Sequence, residues 1–312
     1  MVTEESGDVH NARTEYFFSA ATIGLKMKTI LIVMNSEHLQ IKKKLQRIVK
    51  LRRKKPEKLR YIIHHLALRW NDMGYKVIMH YGTRNLPEAD IVFLHVNKTI
   101  VPDAYANAVS TYPVVLNRYV SDISRRNYST ISLTRDDDFV GEVIVKTNKN
   151  YGGMPESRDR SRFARVSESW DDREFLHPMD YAIFNNVKAV PQGVWINKNL
   201  IVEKFLPEKE GDLHFIRYWT FFGDKSLSGR FGSRNPIVKF GNMETSDESV
   251  PIPEELIQLR KKFNIDYGRF DYVVHAGKSI VLDINKTQAS GKSMDRFKAD
   301  LDLLATGIKY YD

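Results

Sequence analysis

Two aspartates twelve residues apart carry the first chemical signal in this sequence. They lie between Tyr267 and Lys286, where two apolar-alternating runs flank a turn containing Gly277. A hairpin centred on Gly277 pairs residues whose numbers sum to 554, so that Asp271 faces Asp283, Arg269 faces Asn285, and Phe270 faces Ile284. Tyr272, Leu282, Val274 and Ile280 then continue an apolar face toward the core, and the carboxylates oppose each other on the other face. Opposed side chains stand about 5 Å apart at Cβ, close enough to share a hard divalent cation with the Asn285 oxygen as a third ligand. Two readings stand side by side for this hairpin: a metal site, or an accidental acidic pair relieved by Arg269.

A second signal is the run Glu142 to Gly153, an apolar strand ending at Lys146 and entering a loop with Gly152 and Gly153. Backbone N–H groups of such a loop can point at phosphate oxygens while the lysine supplies a fixed point charge. The plainer alternative is a solvated strand end. A third is Leu200 to Leu206, an apolar strand that turns polar at Glu203 and Lys204, followed by Glu208, Glu210 and Asp212. Its end could hold a purine edge, with a later acid accepting from a ribose hydroxyl; an edge strand with surface charges would look the same.

Taken in chain order behind an α/β segment, these motifs resemble the ATP-grasp family, over most of residues 28 to 290. The Arg-x-Asp at 269 and 271 followed by Asp-x-Asn at 283 and 285 is similar to the metal-binding end of D-alanine:D-alanine ligases and ribosomal-protein glutamate ligases. The resemblance implies that Asp271, Asp283 and Asn285 hold Mg²⁺, with Mn²⁺ as a substitute, bridging ATP phosphates. It implies that Arg269 contacts the transferred phosphoryl group and Lys146 the α/β-phosphates, and that Gly152 and Gly153 close over them. Glu203, Lys204 and Phe205 would line the adenine pocket, Glu210 or Asp212 would take the ribose, and Arg217 would reach the phosphates or the acyl intermediate. An earlier phosphate-binding cation would fall at Arg125 or Arg126; Arg126 is assigned to the nucleotide. Lys286, where the family often has proline, would bring a cation toward the acceptor, and Arg230 and Arg234 are candidates for a carboxylate substrate.

The implied reaction is ATP-dependent ligation of a carboxylate and an amine, from small molecules or peptides, through an acyl phosphate. Two other readings are open: an ATP-grasp kinase that phosphorylates a hydroxyl, and a degenerate domain that only binds a nucleotide or an anionic partner. The implied fold is α/β and α+β: an N-terminal open α/β subdomain over 27–117, then two α+β subdomains clasping ATP, a lid over 118–205 and a metal and substrate subdomain over 206–312.

The elements needed to position these residues are legible in outline. Alternation of strands and helices from Met27 to Asn117 predicts an open sheet covered by helices, with an apolar-periodic helix from Leu59 to Met73 stopped by Gly74. Val194 to Asn197 and Leu200 to Phe205 flank a turn-prone Asn-Lys-Asn and predict a hairpin. Leu213 to Phe222 reads as a long strand, Pro253 to Phe263 and Met294 to Leu304 as helices. The 57 residues from Lys146 to Glu203 exceed an ordinary lid and suggest an insertion around Ser157 to Pro178.

Composition limits the alternatives. The chain has 312 residues, 42% hydrophobic and 11% aromatic, enough for a sizeable core and against disorder. With no cysteine, disulfides, thiolate metal sites and a Cys nucleophile are excluded, so a metal must rest on Asp, Glu, Asn or His. No apolar run approaches the roughly 18 residues of a membrane span, and the expectation is a cytoplasmic protein without a membrane partner, for which a homodimer remains open. Of the net charge of +9, residues 41–60 supply eleven Lys or Arg against one Glu, leaving the rest nearly neutral. Ile41, Leu45, Ile48 and Val49 follow helical spacing there, and no aromatic residue interleaves, so a solvated helix face is preferred to a nucleic-acid patch. Residues 1–26, polar and aperiodic, are expected to be a disordered extension. His64 and His65 lie in the apolar-periodic helix and read as structural.

Overall fold

The computed structural model describes residues 27–35, 59–156, 169–290 and 297–312. The expectations for 1–26 and for nearly all of the basic helix at 41–60 lie outside these residues, as do the first half of the suggested insertion and the start of the closing helix at 294.

The first sheet is parallel, in the order β2-β1-β3-β4, from β1 (Thr29–Met34), β2 (Lys76–Tyr81), β3 (Ile91–His95) and β4 (Val114–Leu116). A strand covered on both faces must be apolar throughout, and Ile30 to Met34 are all buried. Helix α1 (Ile62–Asp72) lays Ile63, Leu66, Ala67 and Trp70 on one face of the sheet; Val101, Tyr105 and Val109, in and around α2 (Asp103–Ala108), cover the other. Gly74 ends the α1 segment with φ of 92°, a conformation glycine adopts without strain. The helix read from Leu59 to Met73 begins three residues later, at Ile62, and ends at Asp72.

After the short α3 (Arg125–Tyr128) comes an antiparallel sheet in the order β5-β8-β6-β7: β5 (Ser132–Leu133), β6 (Val143–Thr147), β7 (Ala182–Phe184) and β8 (Leu200–Lys204). The expected hairpin around Asn197 is not formed. Instead Gln192–Ile196 is a short helix, α4, entered through Pro191, whose carbonyl accepts from Val194 N at 3.0 Å. The Asn197 side-chain amide ties this helix to Trp170 O and Arg173 O, 2.8 and 2.9 Å away. Strand β8 therefore pairs with β6 and β5 rather than with its own upstream neighbour.

The third sheet is antiparallel, with β9 (Glu208–Glu210), β10 (Leu213–Phe222), β11 (Lys225–Ser233), β12 (Thr245–Glu248), β13 (Tyr267–His275) and β14 (Lys278–Asn285) in the order β12-β11-β10-β13-β14 and β9 beside β10. Helix α5 (Glu254–Phe263) sends Leu256 into the core on one face, where Trp219, Phe221, Phe270, Tyr272 and Ile284 meet; α6 (Lys298–Thr306) packs with α1, its Leu301 and Leu304 sharing a core with Trp70 and Phe222. Asn117 joins the first sheet to the third: its backbone N donates to Asp266 Oδ2 at 2.6 Å, and its side-chain amide donates to Tyr267 O at 2.9 Å. No helix among the described residues is long and apolar enough to cross a membrane.

Arg230 lies in strand β11, in a stretch rich in Gly and Ser. Small residues are required there by the neighbouring strand: a Cβ on Gly229 would lie 2.6 Å from the Tyr218 hydroxyl, and one on Gly232 2.7 Å from the Phe215 ring.

The candidate nucleotide and metal site

A cleft opens between the second and third sheets, lined by residues of both. Lys146 reaches it from β6, Lys204 and Phe205 from the end of β8, and Asp271 and Asp283 from β13 and β14. The sequence thus brings its three motifs, from distant parts of the chain, onto one cavity.

On the wall formed by the second sheet, Lys146 Nζ donates to Glu203 Oε2 at 2.8 Å, both side chains buried. The register pairs Lys146 with Ile201 and Ile144 with Glu203, so the two charged groups are diagonal neighbours on one face. Burial alone would raise the Glu203 carboxyl, but Lys146 and then Arg125 outweigh it and hold the group below its ordinary value. Lys146 is thereby fixed in place as a buried cation. Lys204 Nζ lies 5.1 Å from the Phe139 ring centroid.

On the other wall, Asp271 faces Asp283 and Arg269 faces Asn285. The agreement hides two offsets. The turn is Ala276-Gly277, at φ of 49° and 76°, so His275 pairs with Lys278 and the strands start with a sum of 553. A bulge at Leu282 then adds one residue and restores 554 at the carboxylates. Tyr272 pairs with Val281 and Val274 with Ser279, in place of the expected Leu282 and Ile280, and Leu282 turns toward the cleft beside Asp283.

Each carboxylate has its own guanidinium. Arg269 Nε donates to Asp271 Oδ1 at 2.7 Å, and Arg125 Nη2 to Asp283 Oδ1 at 3.1 Å. Withdrawal from water raises the Asp283 carboxyl; Arg125 opposes this and Asp271 adds to it. Asn285 Oδ1 caps Thr287 N at 2.9 Å. No group of three or more His, Cys, Asp or Glu able to hold a metal occurs among the described residues. The donor set here is two carboxylates and one amide oxygen, all hard oxygens suited to Mg²⁺, an ion that keeps several waters and takes few protein ligands.

Of the two candidate arginines, Arg125 enters the cleft, braced on Thr147 O and Lys149 O at 3.4 and 3.2 Å. Arg126 turns away and donates to Leu200 O at 2.7 Å. Arg217 also departs from its expected position. It pairs across the sheet with Tyr272, one residue out of phase with Asp271, so it emerges on the opposite face, where its Nε and Nη2 clasp Glu208 at 2.7 to 2.9 Å. Arg230 lies opposite Arg217 and is held by Glu210 and Asp247; Arg234 is exposed and paired with Glu244. Glu210 is therefore committed to Arg230, and neither it nor Asp212 lines the cleft. Lys286 is buried, donating to Val120 O at 3.3 Å, and burial lowers its pKa to about 7 against the pull of Asp122 and Glu156.

The glycine loop is a tight turn with Gly152 at φ of 66° and Gly153 at 80°. A Cβ on Gly152 would lie 2.3 Å from Leu176 O. Gly152→Ala should cost about 1–3 kcal/mol in chemical denaturation, whereas Gly241→Ala, whose Cβ meets nothing within 4 Å, should change little. Equal effects would show that the loop does not pack on residues 174–176.

Two basic residues of the cleft were not anticipated. Lys239, from the run Pro236 to Phe240, points between the sheets; burial lowers its pKa, opposed by Asp283 and Asp271. A lone lysine in an apolar run was the available signal. His214 also lines the cleft, its pKa lowered by burial and by Lys209.

No protein-family model matches the chain. No curated protein is similar to it at a significant level. Among solved structures, it is similar to a RimK domain ATP-grasp protein from Sphaerobacter thermophilus, at 9% identity and TM-score 0.47, covering 90% of this chain and 99% of that one. It is also similar to macrocyclase MdnC of Microcystis aeruginosa bound with precursor peptide MdnA, at 12% identity and TM-score 0.46, covering 89% and 98%. A third is D-alanine–D-alanine ligase from Bacillus anthracis complexed with ATP, at 12% identity and TM-score 0.40, covering 92% and 99%. The first of these is described as an ATP-grasp protein; the chain itself is a mixed α/β protein with several sheets.

Proposed function

We propose that the protein is an ATP-dependent carboxylate–amine ligase that forms an amide through an acyl phosphate. The observation that carries the reading is the convergence of the Lys146–Glu203 pair and the Asp271–Asp283 pair on one cleft. One set offers a buried cation fixed at a strand end; the other offers hard oxygen donors from a neighbouring sheet.

Asp271, Asp283 and Asn285 are the residues to hold Mg²⁺. Bound ATP and Mg²⁺ supply the phosphoryl group and the charge neutralisation by which a carboxylate is activated toward an amine. Lys146 takes up phosphate charge as a point donor, kept in position by Glu203. Arg125 and Arg269 each neutralise one carboxylate and stand ready to turn to phosphate oxygens. The loop at Gly152 and Gly153 excludes water that would hydrolyse an activated acyl group. No protein nucleophile is needed, and none is assigned.

Hydroxylamine tests this directly, because it traps an acyl phosphate as a hydroxamate whatever the natural amine. With ATP, Mg²⁺ and a panel of carboxylates, the expected result is phosphate release matched by hydroxamate. A phosphorylated product with no hydroxamate would instead select kinase chemistry.

A further inference from the structure

Beyond the acidic pair, the face of the third sheet that carries Asp271 continues into aromatic rings. Tyr218 sits directly across from Asp271, and its ring stacks on Phe231 with centroids 5.0 Å apart. Phe240 meets Phe231 edge-on at 5.9 Å and is 53% exposed. The Arg269 guanidinium lies over the Tyr218 ring at 4.7 Å. Phe231 pairs with Ile216, which lines the cleft, and Phe240 follows Lys239, which also lines it. The shelf is therefore continuous with the cleft and begins where the proposed reaction centre ends.

Half-exposed aromatic surface beside two cations has a defined chemical complement: a carboxylate bearing a flat apolar group, its charge toward Arg269 and Lys239 and its ring against Phe231 and Phe240. The side chains expected to bind a substrate carboxylate, Arg230 and Arg234, are held by Glu210, Asp247 and Glu244 away from this face. The geometry points to an aryl-bearing carboxylate as the acyl substrate, with Phe231 and Phe240 setting the preference for its ring. This inference rests on the ligase reading and narrows its substrate.

The test is saturation-transfer NMR on the full chain with Mg²⁺ and a non-hydrolysable ATP analogue, using 3-phenylpropionate and propionate as probes at millimolar concentration. Transfer to 3-phenylpropionate is expected, strongest at the ring protons, with little to propionate. Phe231→Ala and, on the exposed side, Phe240→Ala should each weaken 3-phenylpropionate binding roughly fivefold while leaving the thermal shift induced by Mg²⁺ and ATP unchanged. Equal transfer to both probes, binding unaffected by both variants, or no transfer to 3-phenylpropionate would overturn the inference. The ligase reading fails separately: it falls if Mg²⁺ and ATP produce no thermal shift, whatever the probes do.

Discussion

Asp283→Asn is expected to abolish ATP turnover while the fold stays intact. Asp283 and Asp271 face each other across β13 and β14, and two carboxylates on one rung repel unless a cation lies between them. Asparagine keeps the shape and one oxygen but removes half of the anionic charge available to Mg²⁺. Loss of a ligand should exceed the 10- to 100-fold penalty typical of outer-shell changes, so turnover should fall by roughly 100-fold or more. Stability should change little. Repulsion from Asp271 is relieved, and Arg125 retains Thr147 O and Lys149 O when its contact with residue 283 weakens. Phosphate release and circular dichroism on the same preparation check both halves, and undiminished turnover would remove the metal assignment.

Lys146→Met should have the largest effect on stability. The substitution keeps an unbranched side chain one atom shorter but leaves the Glu203 carboxylate, 0% exposed, without its charged hydrogen-bond partner. Breaking a buried pair in this way costs about 3–5 kcal/mol. The pH dependence should change sign. In the wild type Glu203 is held below 4.5, so its contribution is present above that value and is lost as pH falls through the lowered folded pKa. Without Lys146 the burial that raises the group gains weight, opposed by Arg125 and the Ser129 hydroxyl. A raised carboxyl is bound as the acid, so stability should then decline as pH rises through its folded value. Melting curves across the acidic range would show opposite slopes for the two proteins. Lys146→Met combined with Glu203→Leu should recover much of the stability, since an apolar pair can replace a buried ion pair, but should not recover nucleotide binding. Parallel pH slopes in wild type and Lys146→Met would contradict the pairing.

The elements that announce themselves by a clean period were legible: β1, α1, β10 and the β13–β14 hairpin. The carboxylate pairing was right through cancellation, because neither a two-residue turn at Ala276-Gly277 nor a compensating bulge at Leu282 has a compositional mark. Strand β11 was hidden because packing against Tyr218 and Phe215 requires glycine where strand propensity favours bulk. The short helix α4 was hidden because Val194, Trp195 and Ile196 are strand formers by type, and Pro191 with the Asn197 contacts overrides them. For Arg217, alternation held the answer once the β10–β13 register was known: even-numbered residues of β10 share the face of Asp271, and Arg217 does not. Arg125 and Arg126 differ only in which side of a four-residue helix they occupy, a distinction periodicity cannot draw. Lys239 arrives from a segment without regular pattern, so only the folded chain reveals it.

The central claim is that one cleft binds ATP with a divalent cation through Lys146 on one wall and Asp271 and Asp283 on the other. The most direct test is a thermal-shift titration with ATP, with and without Mg²⁺, on the wild type and on the Asp271→Asn, Asp283→Asn double variant. A ligand that binds the native state at about 100 times its Kd stabilises it by about 2.7 kcal/mol, a shift of several degrees. The account predicts that shift for the wild type only when both ATP and Mg²⁺ are present, and its loss in the double variant. A wild-type melting temperature that ignores ATP and Mg²⁺, or a shift that persists undiminished in the double variant, would contradict it.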